Sequence, residues 1–321
     1  MGQEPELSVV VVRQKIHGMD ARGLHAVLRD RLGDDRVRLA DTRAKEIELV
    51  PKAAMAVGYG LPDVVLDEPG ALAVFACSFA GVGHLNLDRF RAAEVDVINA
   101  AGVHAPNITE QVIGAMLYFS RGFNVAVRQQ QSQVWQSYPP GELAGAEAVV
   151  IGMGAIGTRV CEMLRHFEVR VTAIRHSPAK GGPTAAVVGY DDEAEIDAAL
   201  ATAQFVIIAA PLTEETRGFI DGQRLLTMRS DAVVINVGRG PIVDTDALVS
   251  ALRSNAIGAA AVDVTDPEPL PATHPLWDFD NVLITPHNAG GTPFYWERMA
   301  DIIETNLQRL EDGTPLHNHV H

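Results

Sequence analysis

Short apolar runs alternate with longer amphipathic stretches along nearly the whole chain. Residues 7–12 form a β-branched apolar run, the pattern of a strand buried in a parallel sheet. Comparable runs recur at 36–40, 53–57, 72–75 and 95–99, separated by stretches such as 21–31 and 88–93 that suit helices. A second series begins near residue 100. Asn107 is expected to cap a long apolar-periodic helix over 108–123, with Glu110 at the third position as in a capping box. Pro139-Pro140-Gly141 then breaks the chain. Strands are expected at 146–151, 169–174, 205–210, 232–237, 259–264 and 282–285, with helices at 158–167 and 294–310. Strand and helix in alternation argue for α/β architecture with right-handed crossovers. No internal repeat marks a solenoid.

At 321 residues the chain exceeds what one core usually fills, so two domains are expected. A composition of 47% hydrophobic and 21% charged residues is that of a soluble globular protein. With 26 basic against 41 acidic residues the net charge is −15, which repels phosphate backbones and anionic bilayers. Neither nucleic acid nor membrane is therefore an expected partner, and a small anionic substrate would need a local cationic pocket. Cys77 and Cys161 each sit in an apolar stretch and read as buried free thiols. The segment around Gln3, Glu4 and Glu6 lacks a signal-peptide pattern, and no apolar run approaches the ~20 residues of a membrane helix. The expected location is the cytoplasm.

Gly152-Met153-Gly154-Ala155-Ile156-Gly157 follows one expected strand directly and opens a helix. In that context G-x-G-x-x-G reads as a dinucleotide site. The first glycine permits a tight turn, the second lets pyrophosphate approach the backbone, and the third packs helix on strand. Free N–H groups at the helix start, Ala155 and Ile156 among them, favour phosphate. At the end of the next strand, where an NAD enzyme places an acid, stand Arg175, His176 and Ser177. A guanidinium pairs with a 2′-phosphate that a carboxylate would repel, so NADP(H) is expected, with NAD(H) possible if Arg175 is merely solvated.

Three later strands each end in a polar residue with unusual neighbours: Arg239 between glycines, Glu268 between prolines, and His287 after Thr285-Pro286. Ligands of open α/β sheets bind outside the carboxyl ends of strands, so the three are expected to converge. Reducing a carbonyl with a nicotinamide needs hydride at the carbon and a proton at the oxygen. An imidazole suits the proton, a carboxylate beside it would orient the ring and favour its charged form, and a guanidinium suits the substrate carboxylate and carbonyl. His17, His25, His84, His104, His166 and His274 lack such company, the tail 317–321 reads as packing or a frayed end, and no metal site is implied.

GMGAIG, PLTEETRGFI, INVGRGPIVD, AVDVTDPEPLP, HPLW and ITPHNAGG, in this order and spacing, resemble the D-2-hydroxyacid dehydrogenase family, which includes glyoxylate/hydroxypyruvate reductases. Weaker similarity runs back through SFAGVGHLNLD and INAAGVHAPNITEQV. The resemblance implies that Arg239 binds substrate, Glu268 orients the ring and His287 is the catalytic histidine. It implies cofactor contacts at Pro211, Thr216, Val237, Gly238 and Asp263, the last toward the nicotinamide carboxamide. Thr109 is a further candidate against a phosphate, where helix capping explains the segment equally well. Ala80 and Gly81 resemble the loop whose N–H groups hold the substrate carboxylate, although Gly83-His84 replaces the acid that usually follows.

The fold implied is two doubly wound parallel-sheet α/β domains: a Rossmann cofactor domain, 102–287, inserted into a flavodoxin-like substrate domain, 1–101 with 288–321. A short 2-oxo or 2-hydroxy acid is the implied substrate, and a homodimer the implied assembly, with Trp135 anchoring the interface or reaching the partner's pocket. A formate dehydrogenase is the nearest rival, disfavoured by Glu268. A non-catalytic NAD(P)(H) sensor is the rival from another class, and turnover separates it.

Overall fold

The computed structural model describes residues 4–13, 15–16 and 19–320; Gln3, His17 and His321 lie outside them. The chain divides into two compact units, residues 1–103 with 292–321, and residues 104–291.

In the first unit strands β1 (Leu7–Val12), β4 (Val37–Ala40), β5 (Ala53–Gly58), β6 (Val74–Cys77) and β7 (Asp96–Ile98) form one parallel sheet, and a small antiparallel pair, β2 (Lys15–Ile16) and β3 (Met19–Asp20), follows β1 in the chain. Its order, β4-β1-β5-β6-β7, is the flavodoxin-like doubly wound order. Helices α1 (Ala21–Leu32), α2 (Arg43–Leu49), α3 (Asp63–Asp67) and α4 (Leu87–Ala92) connect the strands. Side chains alternate across β1: Val9 and Val11 enter one core, Val10 and Val12 the other. A parallel sheet covered on both faces is why this run reads as continuously apolar.

The second unit opens with α5 (Ala105–Ser120) and α6 (Phe123–Gln131). Seven parallel strands follow: β8 (Glu147–Ile151), β9 (Arg170–Ile174), β10 (Ala186–Val188), β11 (Phe205–Ile208), β12 (Val233–Asn236), β13 (Ala259–Val262) and β14 (Val282–Ile284). Their order, β10-β9-β8-β11-β12-β13-β14, is the dinucleotide-binding order with one strand added. Helices α7 (Ala155–His166), α8 (Glu193–Thr202), α9 (Gly222–Thr227) and α10 (Thr245–Arg253) join them. Val150, Ile207 and Ile235 pack under α5 and α7, while Ile151, Ile208 and Val234 face α8 and α10.

The final helix, α11 (Tyr295–Glu311), belongs to the first unit, where Met299 and Ile303 join Leu24 and Leu28 of α1. Gly23 allows this closeness, since a Cβ there would stand 2.5 Å from the Trp296 ring. Beyond it, His319 makes an antiparallel bridge to Ile98 and its Nε2 meets Asp96 at 3.0 Å.

One local expectation is corrected. Asn107 does not cap α5; the helix starts at Ala105 with His104 at the cap position and Pro106 in the first turn. Proline lacks an N–H that the first turn would leave unbonded anyway, and its fixed φ suits a helix start. The amide of Asn107 instead donates to the Ala289 carbonyl at 2.6 Å. Helix α6 was also not foreseen, because it buries no side chain and so carries no core-facing stripe. No helix among the described residues is long and apolar enough to cross a membrane.

Candidate active site

The glycine turn lies between β8 and α7, where β8 and β11 meet and the strand order reverses. Gly152 adopts φ +94°, and a Cβ there would come 2.6 Å from the Ala210 backbone. At Gly157 a Cβ would strike the Gly152 carbonyl at 1.8 Å, so helix and turn require glycine there. Gly154, at the cap of α7, faces open space. Two glycines enforce the turn and the third leaves room for a ligand against the helix start, a cradle that fits a dinucleotide phosphate.

A pocket of about 770 Å³ opens over this turn, lined by Gly152, Gly154, Arg175, His176, Ser177, Pro211 and Thr216 among others. All seven carry sequence-based expectations. Ala155 and Ile156 are the first residues of α7 behind it. Arg175 projects from the end of β9 and donates to the Gly181 carbonyl at 2.8 Å, tying down the following turn. The Thr216 hydroxyl is buried and already engaged, donating to Pro211 O at 2.7 Å and accepting from Thr213 N at 2.8 Å. It shapes the pocket wall more than it offers a free donor. Sequence reasoning missed Lys180, Tyr190, Glu214 and Glu215 in the same lining. Lys180 sits five residues beyond Arg175, a signal that was available. Glu215 lies 3.5 Å from His176. Burial, aided by Glu215, pushes the Tyr190 phenol up to about 12, so it stays neutral here.

The remaining candidates gather at the carboxyl ends of β12, β13 and β14. Buried Asn236 closes the first turn, accepting from Gly238 N at 3.1 Å and donating to the Arg239 carbonyl at 3.0 Å. Gly238 and Gly240 permit close approach: Cβ atoms there would come 2.7 Å from Ala210 O and 2.1 Å from Thr265 O. Arg239, exposed between them, makes no ion pair with an acidic side chain among the described residues, and its Nη1 donates to Gly238 O at 2.7 Å. Glu268 and His287 meet directly, with His287 Nδ1 2.5 Å from Glu268 Oε1. An ionised carboxylate only accepts, so Nδ1 carries the proton and Nε2 is the nitrogen left for chemistry. His287 has φ +50°, a conformation that costs a residue with a Cβ roughly 1–2 kcal/mol.

Asp263, which the resemblance places toward the nicotinamide carboxamide, lies just beyond β13. Its buried carboxylate accepts from the Thr285 hydroxyl at 2.5 Å and from the Asn288 and Ala289 amides at 3.1 Å each. Val237 continues β12, bonded to Ile208 O at 3.1 Å. Thr109 lies buried inside α5, its hydroxyl donating to Ala105 O at 2.7 Å.

In the first unit the segment around Ala80 and Gly81 is anchored at several points. Tyr295 donates its hydroxyl to Ser78 O, and Asn99 Nδ2 donates to Ala80 O at 2.8 Å. His84 stacks on Tyr59 at 4.0 Å, with its Nε2 2.8 Å from the Tyr59 carbonyl. A Cβ at Gly81 would meet no atom within 4 Å.

The family model for the D-isomer specific 2-hydroxyacid dehydrogenase NAD binding domain matches residues 113–289. The chain belongs to the D-isomer specific 2-hydroxyacid dehydrogenase family. It is 32% identical over 255 residues to a glyoxylate reductase of Thermofilum pendens, covering 78% of this chain and 75% of that one. To the human glyoxylate reductase/hydroxypyruvate reductase it is 30% identical over 258 residues, 78% of each chain. Among solved structures, a D-isomer specific 2-hydroxyacid dehydrogenase from Xanthobacter autotrophicus Py2, in complex with NADPH and MES, superposes with TM-score 0.78 at 28% identity, covering 98% of both chains. The protein is thus an NAD(P)-dependent dehydrogenase with a nicotinamide-binding Rossmann unit. In this dehydrogenase the glycine turn and the three strand-end residues lie along the carboxyl edge of one sheet, where doubly wound folds bind ligands.

Proposed function

We propose that this dehydrogenase reduces a short 2-oxo acid to the D-2-hydroxy acid with NADPH, reversibly. The single observation that carries the reading is the His287–Glu268 pair at 2.5 Å, made through Nδ1 and leaving Nε2 without a hydrogen-bond partner among the described residues. When bound, the nicotinamide supplies hydride to the substrate carbonyl carbon. Arg239, without an acidic partner of its own among the described residues, receives the substrate carboxylate and polarises the carbonyl. His287 Nε2 gives its proton to the carbonyl oxygen, completing the alcohol, and takes it back in the oxidative direction. Glu268 holds the ring in the required tautomer and stabilises the imidazolium. A formate oxidation would need no such proton donor, which favours hydroxy-acid chemistry.

NADPH is the preferred cofactor on this reading because Arg175, Ser177 and Lys180 line the pocket where an NAD enzyme would place an acid. The relative from Xanthobacter, solved with NADPH, is consistent with it. Glu215 opposes the preference, but its contact with His176 is exposed and weak. The assembly proposed is a homodimer built on α6 and the arm after it, where Phe123, Val127, Val134 and a fully exposed Trp135 stand in water. Sedimentation of the wild type and of Trp135→Glu tests this: the dimer is expected only for the wild type.

The deciding assay is a panel of glyoxylate, hydroxypyruvate and branched 2-oxo acids with NADPH and NADH in parallel. Turnover of at least one acid, faster with NADPH, is expected. No oxidation of either nicotinamide would overturn the enzymatic reading and favour a sensor.

A further inference from the structure

His287 occupies a backbone conformation that residues with a Cβ disfavour, and something must impose it. Its amide is shared between the carbonyls of Asp263, at 2.8 Å, and Thr285, at 3.0 Å. Asp263 is in turn tied to the sheet, its own amide bonded to Asn236 O at 3.0 Å. The Asp263 carboxylate then gathers the amides on the far side of the histidine, at Asn288 and Ala289. Backbone on both sides of His287 therefore refers to one buried acid.

That acid has a fixed order of donors. The Thr285 hydroxyl has one proton, and at 2.5 Å from Asp263 Oδ1 the carboxylate must receive it. Thr285 Oγ1 is then an acceptor, and Gln111 Nε2 donates to it at 3.1 Å from α5. One turn earlier on the same helix, Asn107 donates to Ala289 O. Two amides of α5 thus reach the segment 285–289 from 174 and 182 residues away in sequence.

We propose that Gln111 and Thr285 are positioning residues for His287, acting through Asp263. Neither is asked to touch substrate. Gln111 orients the threonine hydroxyl, the hydroxyl fixes one oxygen of Asp263, and Asp263 holds the turn that sets the imidazole against Glu268. The proposal rests on the reading of His287 as proton donor, and it ties that strand end to Gln111 on α5. Misplacing a reacting group by about an ångström can slow a reaction on the order of a hundredfold, so a modest loosening of this turn is enough to be seen.

The test compares Thr285→Val, Thr285→Ser and Gln111→Met with the wild type on the best 2-oxo acid from the panel. Thr285→Val, which removes the hydroxyl and keeps the shape, is expected to lower kcat about 10- to 100-fold while the substrate KM stays within about threefold. NADPH affinity by calorimetry should be unchanged and thermal unfolding should remain cooperative. Thr285→Ser, which restores the hydroxyl, should recover most of the rate, and Gln111→Met should fall between. Wild-type kcat in Thr285→Val, or no recovery in Thr285→Ser, overturns the proposal. His287→Asn is run alongside: turnover retained there overturns the proton-donor reading itself, which the threonine pair alone would not reveal.

Discussion

At the ends of β12 and β14, Arg239 and His287, proposed to carry the chemistry, stand on turns bonded to buried partners. Asp263, almost wholly buried, collects a hydroxyl and two amides, and Asn236 closes the Arg239 turn from below. At the end of β9 the arrangement is looser. Arg175 donates to a loop carbonyl, while His176 and Lys180 are exposed on a short turn closed by Lys180 N→Ser177 O at 3.1 Å. Both regions lie in the same unit and along the same sheet edge. A proton must be delivered to one atom within a few tenths of an ångström, so its donor is over-determined. A phosphate is recognised by charge over a longer range, and flexible cations suffice for it.

Four measurements break or sharpen that contrast. The largest effect belongs to His287→Ala, expected to cut kcat by about 10² to 10⁴, with NADPH binding intact by calorimetry. Arg239→Ala should follow, lowering kcat/KM for 2-oxo acids on the order of 10² to 10³. Arg239→Lys should recover little of that loss, because an ammonium lacks the fork that grips carboxylate. If lysine restored full activity, the turn built by Asn236 and its glycines would not be presenting a fixed geometry.

Arg175→Ala should raise the KM for NADPH roughly 10- to 100-fold, the loss of one charge-assisted bond, and leave NADH nearly unchanged. An equal effect on both cofactors would show that Arg175 supports the turn through Gly181 rather than reading a phosphate. The smallest expected signal is at Cys161 on α7, behind the glycine turn. Burial holds its thiol up at about 12, with Met153 Sδ 3.5 Å away. Above its ordinary range, the group remains a neutral thiol through neutral and mildly basic pH, and the thiolate needed for alkylation does not form. No labelling of the native protein at pH 8 is expected, and full labelling after unfolding. Rapid native labelling would mean that the wall behind the nucleotide turn opens readily.

Much of this molecule was legible along the chain. Buried parallel strands announce themselves as apolar runs, and six of the second unit's seven strands were read that way. The missing one, β10 (Ala186–Val188), is an edge strand of three residues with little burial to mark it. Helix α6 escaped for the same reason, having nothing buried to give it a period. The glycines, the cations after β9 and the Arg239, Glu268 and His287 segments are local signals, since a tight turn or a strand end is decided by a few neighbouring residues.

Other features needed the folded chain. That Glu268 and His287 meet could be expected from family resemblance, but the nitrogen used follows only from the observed contact at Nδ1. That Asp263 is enclosed by the turn carrying His287, and that Gln111 on α5 supports it, depends on groups brought together from far apart. Hydrophobic period and turn chemistry are local, so sequence alone determined the strands, the nucleotide turn and the reacting residue types. A buried carboxylate must find donors wherever the fold supplies them, so its partners, and with them the exact seat of the histidine, were decided by the tertiary structure.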